Sequence, residues 1–417
     1  MQLQTLFLAH FIVQNAQKNL PLGFGGRYPK KPPKCPFPKI YLQRLTDHTM
    51  QHLFSNNKQR FGGLFAPLCA LLLLFSNCET DFRTTADWTE TTIAYGLLEV
   101  NKPVQYIRIQ KAFLGEDINA LDVATISDSL YLEEPTTAVI EEYTDANMNS
   151  LVKTIALTKT DAASEGIEKE EGIFAQNPYY LYKTSETLSP TRTYKLHIQT
   201  PRGNTVTAHT GLVADFNVFT PTADNKINLN GTDFEIRWKD ATNGIVYDAY
   251  LNFHYSESRT DAPEPVEKTK LVPLFSGVTK QSTNSVTYQS NTKIFKYAME
   301  VDRFLDLVIN AFVNDVNDPA VFKRDLAKMD LVIYAGNEEL QKFTSVSSAQ
   351  LNVTASQNVL EYTNVENGLG VFASRLTKSV TDILLEPTSY QKFACSDKML
   401  PLKFAVHPSS PNYPNCD

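Results

Sequence analysis

YKLHIQTPRGNTVTAHT, residues 194–210, reads as two strands folded back on each other. Tyr194–Thr200 is the first strand, and the second, Val206–Leu212, runs just past the quoted stretch. Pro201-Arg202-Gly203-Asn204 lies between them, a turn in which glycine takes positive φ without a steric penalty. Short strands joined by polar turns are the mark of a sandwich built from antiparallel sheets, and the segments on either side carry the same mark.

Toward the N-terminus, Ile93, Tyr95 and Leu97 alternate with smaller residues from Thr91 onward. Val104, Tyr106 and the pair Ile107/Ile109 repeat the alternation around Arg108. Ala138–Tyr143, Leu151–Leu157 and Tyr179–Lys183 complete the set, with Ser127–Glu134 and Ala162–Glu171 expected as surface loops. Residues 91–215 are therefore expected to form one β domain. The boundary falls at FNVFTPTADN, residues 216–225, whose Pro221 and polar residues suit a linker.

A second β domain is expected over residues 216–386. Phe234, Ile236 and Trp238 alternate with Glu235 and Arg237, and Trp238 reads as core. Asn243-Gly244 is a hairpin turn signal, and Tyr247–Tyr255 resumes the alternation. DAPEPVEKTK, ending at Lys270, reads as an exposed charged loop. Ile294, Ala298, Val301, Leu305, Val308 and Phe312 recur at helical spacing, which predicts a helix near 293–312 packed on the sheet. A shorter helix is expected over Pro319–Lys328 and an apolar strand over Met329–Tyr334. The expected fold class is mainly β, with two sandwich-like domains, the second carrying one or two packed helices.

The address is written ahead of both domains. KQRFGGLFAPLCALLLLFSNCETD, residues 58–81, runs from two cations through an apolar stretch to Ser76, Asn77 and Cys78. That is the order of a secretory signal, and a cysteine at the cleavage point resembles a lipoprotein signal, in which Cys78 becomes the acylated N-terminus. The run of about a dozen residues, with Pro67 inside it, falls short of the roughly 20 that a membrane-spanning helix needs. Residues 50–77 are thus read as the signal peptide and 78–90 as a polar tether. Translation starting at Met50 would make residues 1–49 a start-site artefact. A long unstructured extension is the other reading.

The full chain holds 39 basic and 46 acidic residues. Residues 1–77 contain nine of the bases and one of the acids, which leaves 30 against 45, or −15, on the 340 residues that follow. Phosphate binding requires a basic footprint, so nucleic acid is excluded as a partner. Of five cysteines, Cys35 and Cys69 precede the cleavage point and Cys78 takes the lipid. Cys395 and Cys416 remain in the tail over 387–417, either as a disulfide permitted outside the cytoplasm or as two free thiols.

The signal, the hairpin Tyr194–Thr210 and NVENGLGVFASR (Asn364–Arg375) together resemble a family of Bacteroidota cell-envelope lipoproteins. The usual lipobox is Leu, Ala or Ser, Gly or Ala, then Cys; here Phe75 and Asn77 are the loose forms such envelope proteins tolerate. The resemblance implies a transthyretin-like or Ig-like N-terminal β domain and a second mixed β domain. It also implies genes placed beside TonB-dependent outer-membrane receptors. It carries no catalytic residue onto this chain.

Chemical constellations are sparse. His197, His209, His254 and His407 lack metal-ligand spacing, although His197 and His209 fall on neighbouring expected strands. Asp145-x-Asn147-x-Asn149 opens like a calcium loop, but Ser150 and Ala156 stand where glycine and glutamate are needed, so a hairpin turn is expected. No Gly-x-Ser-x-Gly elbow is present, and Glu168–Glu171 reads as a solvated charge run. Tyr179, Tyr180, Tyr182, Tyr247, Tyr250 and Tyr255 are sheet residues by preference. The expectation is a lipid-anchored outer-membrane or surface protein, without catalytic, metal or cofactor residues. It would act as a binding or accessory module for an outer-membrane receptor or a glycan. An adhesin or structural envelope protein, and a hydrolase with an unrecognised site, are the alternatives.

Overall fold

The structure is a computed structural model that describes residues 91–112, 120–134, 136–169, 172–316, 318–352, 362–406 and 416. The signal, Cys78, the tether and His407 lie outside these residues. In the first half the strands are β1 (Thr92–Leu98), β2 (Gln105–Lys111), β3 (Thr137–Tyr143), β4 (Leu151–Ala156), β5 (Thr158–Asp161), β6 (Tyr180–Thr184), β7 (Thr193–Gln199) and β8 (Thr205–Gly211). The second half has β9 (Val218–Thr220), β10 (Asp233–Lys239), β11 (Val246–Arg259), β12 (Val266–Val278), β13 (Val286–Gln289), β14 (Ile294–Glu300), β15 (Val321–Gly336), β16 (Val365–Glu366) and β17 (Gly368–Ile383). The α-helices are α1 (Ala120–Ala124), α2 (Ser127–Leu130), α3 (Val301–Ala311), α4 (Glu338–Asn352) and α5 (Pro387–Cys395).

Among the described residues the strands form three sheets, ordered β12-β11-β15-β17-β1-β2-β6-β5, β13-β14-β10-β9 and β16-β8-β7-β3-β4. The fold is mainly β and sandwich-like, as the alternation implied. The expected hairpin is β7–β8, with Tyr194 opposite Thr210 and Gln199 opposite Thr205. One core packs Ala94, Ile107 and Phe372 of the long sheet against Ile140, Leu196 and Val206 of the five-stranded sheet. The other packs Tyr247, Phe253 and Ile333 against Trp238, Phe295 and Met299, and α3 adds Phe304 and Val308.

Core residues up to Leu212 belong to the first core and those from Val213 to the second, except that Val365 and Phe372 return to the first. The backbone does not divide there. Strand β17 pairs in parallel with β1, Thr92 opposite Gly368, and antiparallel with β15, so one sheet backs both cores. Nor is FNVFTPTADN a free linker, because Val218–Thr220 is β9 on the edge of the second core's outer sheet.

Four other expectations are corrected. The helix predicted near 293–312 begins only at Val301, and Ile294–Glu300 is strand β14. Phe295, Tyr297 and Met299 are buried on one face at a period of two, and the helical spacing of Ile294 and Ala298 is coincidental. Pro319–Lys328 is no helix but the start of β15, its alternation disguised by the inward-facing Arg324. The charged loop ends sooner than read: β12 starts at Val266 as an edge strand, where exposed Glu267 and half-buried Lys268 and Lys270 discourage further pairing. The stretch Ser127–Glu134 is also less exposed than a surface loop, with Leu130, Tyr131 and Leu132 buried.

Candidate functional site

The long sheet has a second face, away from both cores. Cross-strand partners share a face, so Tyr95 with Val371 and Asp248 with Tyr334 all point to this side. Helix α4 roofs it. The helix follows β15 through Asn337, whose Oδ1 accepts from the Leu340 N–H (3.2 Å) and from the Ser374 N–H (3.2 Å). Its amide Nδ2 donates to Thr210 Oγ1 (2.8 Å), so one buried asparagine caps the helix and ties it to β17 and β8. Coverage on both sides explains why Val371–Leu376 is buried without alternation.

Between roof and sheet lies a cavity of about 300 Å³. That is the lower end of the size range of small-molecule sites, which are mostly apolar with a few fixed polar groups. Its walls are Tyr95, Leu97, Val246, Tyr334, Leu340, Phe343 and Val371, with Asp248, Ser276, Thr279, Gln341 and Arg375 among its polar members. The Tyr95 and Phe343 rings meet edge to face at 6.3 Å. Arg108 stacks over Tyr95 at 4.7 Å and Arg375 over Tyr334 at 5.0 Å.

The two lining charges are held differently. Arg375 is buried and its Nη2 donates to Glu99 Oε2 (3.4 Å), while Glu99 Oε1 accepts from the Thr377 N–H (2.7 Å). Asp248 sits where the β11–β12 ladder slips, its strand opposite Val278 and Phe275 with Ser276 and Gly277 bulged outward. The bulge closes on the carboxylate: Oδ1 accepts from the Ser276 hydroxyl (2.6 Å) and the Gly277 N–H (2.7 Å). Gly277 has φ +71°, a left-handed conformation that favours glycine. Burial, then the Asp248 charge, raises the Tyr250 phenol, and burial raises that of Tyr334, so both stay neutral.

The residues singled out from sequence are scattered. Cys395 and Cys416 are joined, with Cα atoms 5.6 Å apart. His197 and His209 lie on adjacent strands as expected, and His197 faces Glu141 at 3.8 Å. The Asp145 segment is the expected turn, Asp145 Oδ1 accepting from the Asn147 N–H (2.8 Å). Tyr247 and Tyr255 are core. Lys169 departs from the solvated run. It donates to the Ala175 carbonyl (2.6 Å) beside Phe174 and Tyr179, and burial, then the charge of Arg108, lowers it to about 8. His254 stands 2.8 Å from Asp330 Oδ2 and 3.1 Å from Thr269 Oγ1, a hydroxyl–imidazole–carboxylate row across three strands. No group of three metal-binding side chains occurs among the described residues.

The sequence reading named no cavity residue as a site. One signal was available for its roof: Asn337 followed by Glu338, Glu339 and Leu340 is an N-cap with an acidic first turn. The joining of distant strands around Asp248 has no signal in one dimension.

No family model matches the chain, and a search of curated proteins finds no match.

Proposed function

We propose that this chain is a lipid-anchored, non-enzymatic binding module of the outer membrane or cell surface, tethered through Cys78, and that the cavity beneath α4 receives a small ligand. The cavity carries the binding half of this reading, being partly covered, lined by aromatic and aliphatic side chains and fitted with a minority of polar groups. The address rests on the order of residues 58–78, and the Cys395–Cys416 disulfide supports an oxidising compartment. Membership of the envelope lipoprotein family named above, and an outer-membrane receptor of the TonB-dependent kind as the partner, belong to the same proposal. A glycan is the alternative partner.

The Thr269–His254–Asp330 row is the observation that favours a hydrolase as a second reading. None of the three lines the cavity, so a ligand held there would not meet the hydroxyl. Binding is therefore the better-supported function.

Fluorescence titration with the neutral probe N-phenyl-1-naphthylamine tests the cavity. The purified protein should bind it saturably at one site, and Leu97→Trp, which fills the space, should abolish binding while the protein stays folded by circular dichroism. Undiminished binding by the folded variant would remove the cavity from the account.

A further inference from the structure

We infer that the cavity selects an organic ammonium ion, an apolar body carrying one protonated amine, with Asp248 as the group that recognises the charge. The inference rests on the proposed binding role of this cavity and adds the chemistry of its ligand.

Three observations lead to it. First, Nη2 of Arg375 pairs with Glu99 at 3.4 Å and the same guanidinium lies over Tyr334, while its buried Nε is without a partner among the described residues. It is part of the wall. Second, Asp248 lines the cavity and pairs with no Lys, Arg or His among the described residues. Its Oδ1 is saturated by Ser276 and Gly277, and Oδ2 accepts nothing from the described residues. Third, this carboxylate is not a freely rotating surface group. Its Oδ1 is held by the Ser276 hydroxyl and the Gly277 N–H at a slipped ladder with a left-handed glycine, and the half-buried residue lines the same cavity as the apolar walls. A carboxylate fixed next to low-dielectric walls favours a cation and disfavours an anion, and a charge-assisted hydrogen bond there is stronger than one in open water. The faces of Tyr95 and Tyr334 already hold guanidinium groups, so these rings supply apolar contact, and discrimination falls to Asp248.

Capping the bulge is the other role open to Asp248, and Asp248→Asn separates the two. The asparagine keeps an oxygen for Ser276 and Gly277, loses the charge and presents an NH2 donor where the second oxygen stood.

The experiment is calorimetric titration of the protein, wild type and D248N, with 2-naphthylmethylamine, 2-naphthalenemethanol and 2-naphthoate. One apolar body is thereby presented as cation, neutral molecule and anion. The expected result is that the amine binds on the order of tenfold more tightly than the alcohol and the acid binds weakest. D248N should bring the amine down to the affinity of the alcohol without changing the melting temperature. An acid that binds as well as the amine, or a D248N protein that keeps the amine preference, overturns the inference while leaving the cavity as a binding site. If none of the three binds, the cavity reading and the inference fall together.

Discussion

Arg324 anchors the charged interior of the second core. Its side chain is 1% exposed, and its nitrogens donate to Glu257 Oε1 (2.9 Å), the Leu402 carbonyl (2.6 Å) and the Asp315 carbonyl (2.9 Å). Glu257 is equally buried and also takes Lys268 at 2.6 Å and Arg259 at 3.3 Å. Removing one partner of a buried pair strands the other, so Arg324→Ala should cost about 3–5 kcal/mol in urea unfolding. A loss below about 1 kcal/mol would show that water reaches and solvates Glu257 in the variant. The same cluster sets a pH dependence. Burial pushes the Glu257 carboxyl up, but hydrogen bonds from Lys268 and Arg324 and their charges outweigh it and hold it below its ordinary value of 4.5. Folding thus lowers this pKa. Its stabilising effect is complete above 4.5 and fades as pH falls through the lower folded value. Denaturation midpoints should drop in that acid window, and Glu257→Gln should flatten the drop.

Strand β17 is the element that joins the two cores, and its seam with β1 is tightest at Gly370. Gly370 has φ +112°, and a Cβ placed there would lie 2.0 Å from the Ala94 carbonyl oxygen on β1. Gly370→Ala should therefore destabilise the protein by about 1–3 kcal/mol or more, read as a lower urea midpoint with loss of hydrogen-exchange protection in β1. An unchanged midpoint would mean that β1 and β17 do not pair as described. At the other end, the disulfide ties α5 to Cys416 across 21 residues of chain. Replacing both cysteines with alanine should cost about 3 kcal/mol by loop entropy, visible as a lower melting temperature. These elements also show what a single sequence can disclose. Hairpin β7–β8, β10 with Trp238 and the antiparallel run of β11 were legible because one face is apolar and the other polar. The start of β15 was not, because Arg324 occupies an inward position. The β1–β17 pairing was not, because a parallel partner more than 270 residues away leaves no local mark.

Two sandwiches share one backing sheet, and the face left over is where α4 covers the cavity. The fold class was readable from alternation, whereas the site was not. Its walls come from five neighbouring strands and a helix, with Tyr95 and Arg375 brought together from opposite ends of the described chain. The acidic balance of −15 after residue 77 suits the solvated envelope protein proposed above, in which the anchor would supply the membrane affinity. Lipoprotein acylation places more than one chain on the cysteine, and several chains anchor stably where one does not. Cys78→Ser should accordingly move the protein from the membrane to the soluble fraction. The deciding measurement is the intact mass of the protein purified from membranes beside this variant. A polypeptide beginning at an acylated Cys78, with the modification lost in Cys78→Ser, is the predicted result. An unmodified N-terminus, or one that retains residues 58–77, would contradict the lipid-anchored reading and return that stretch to the folded protein.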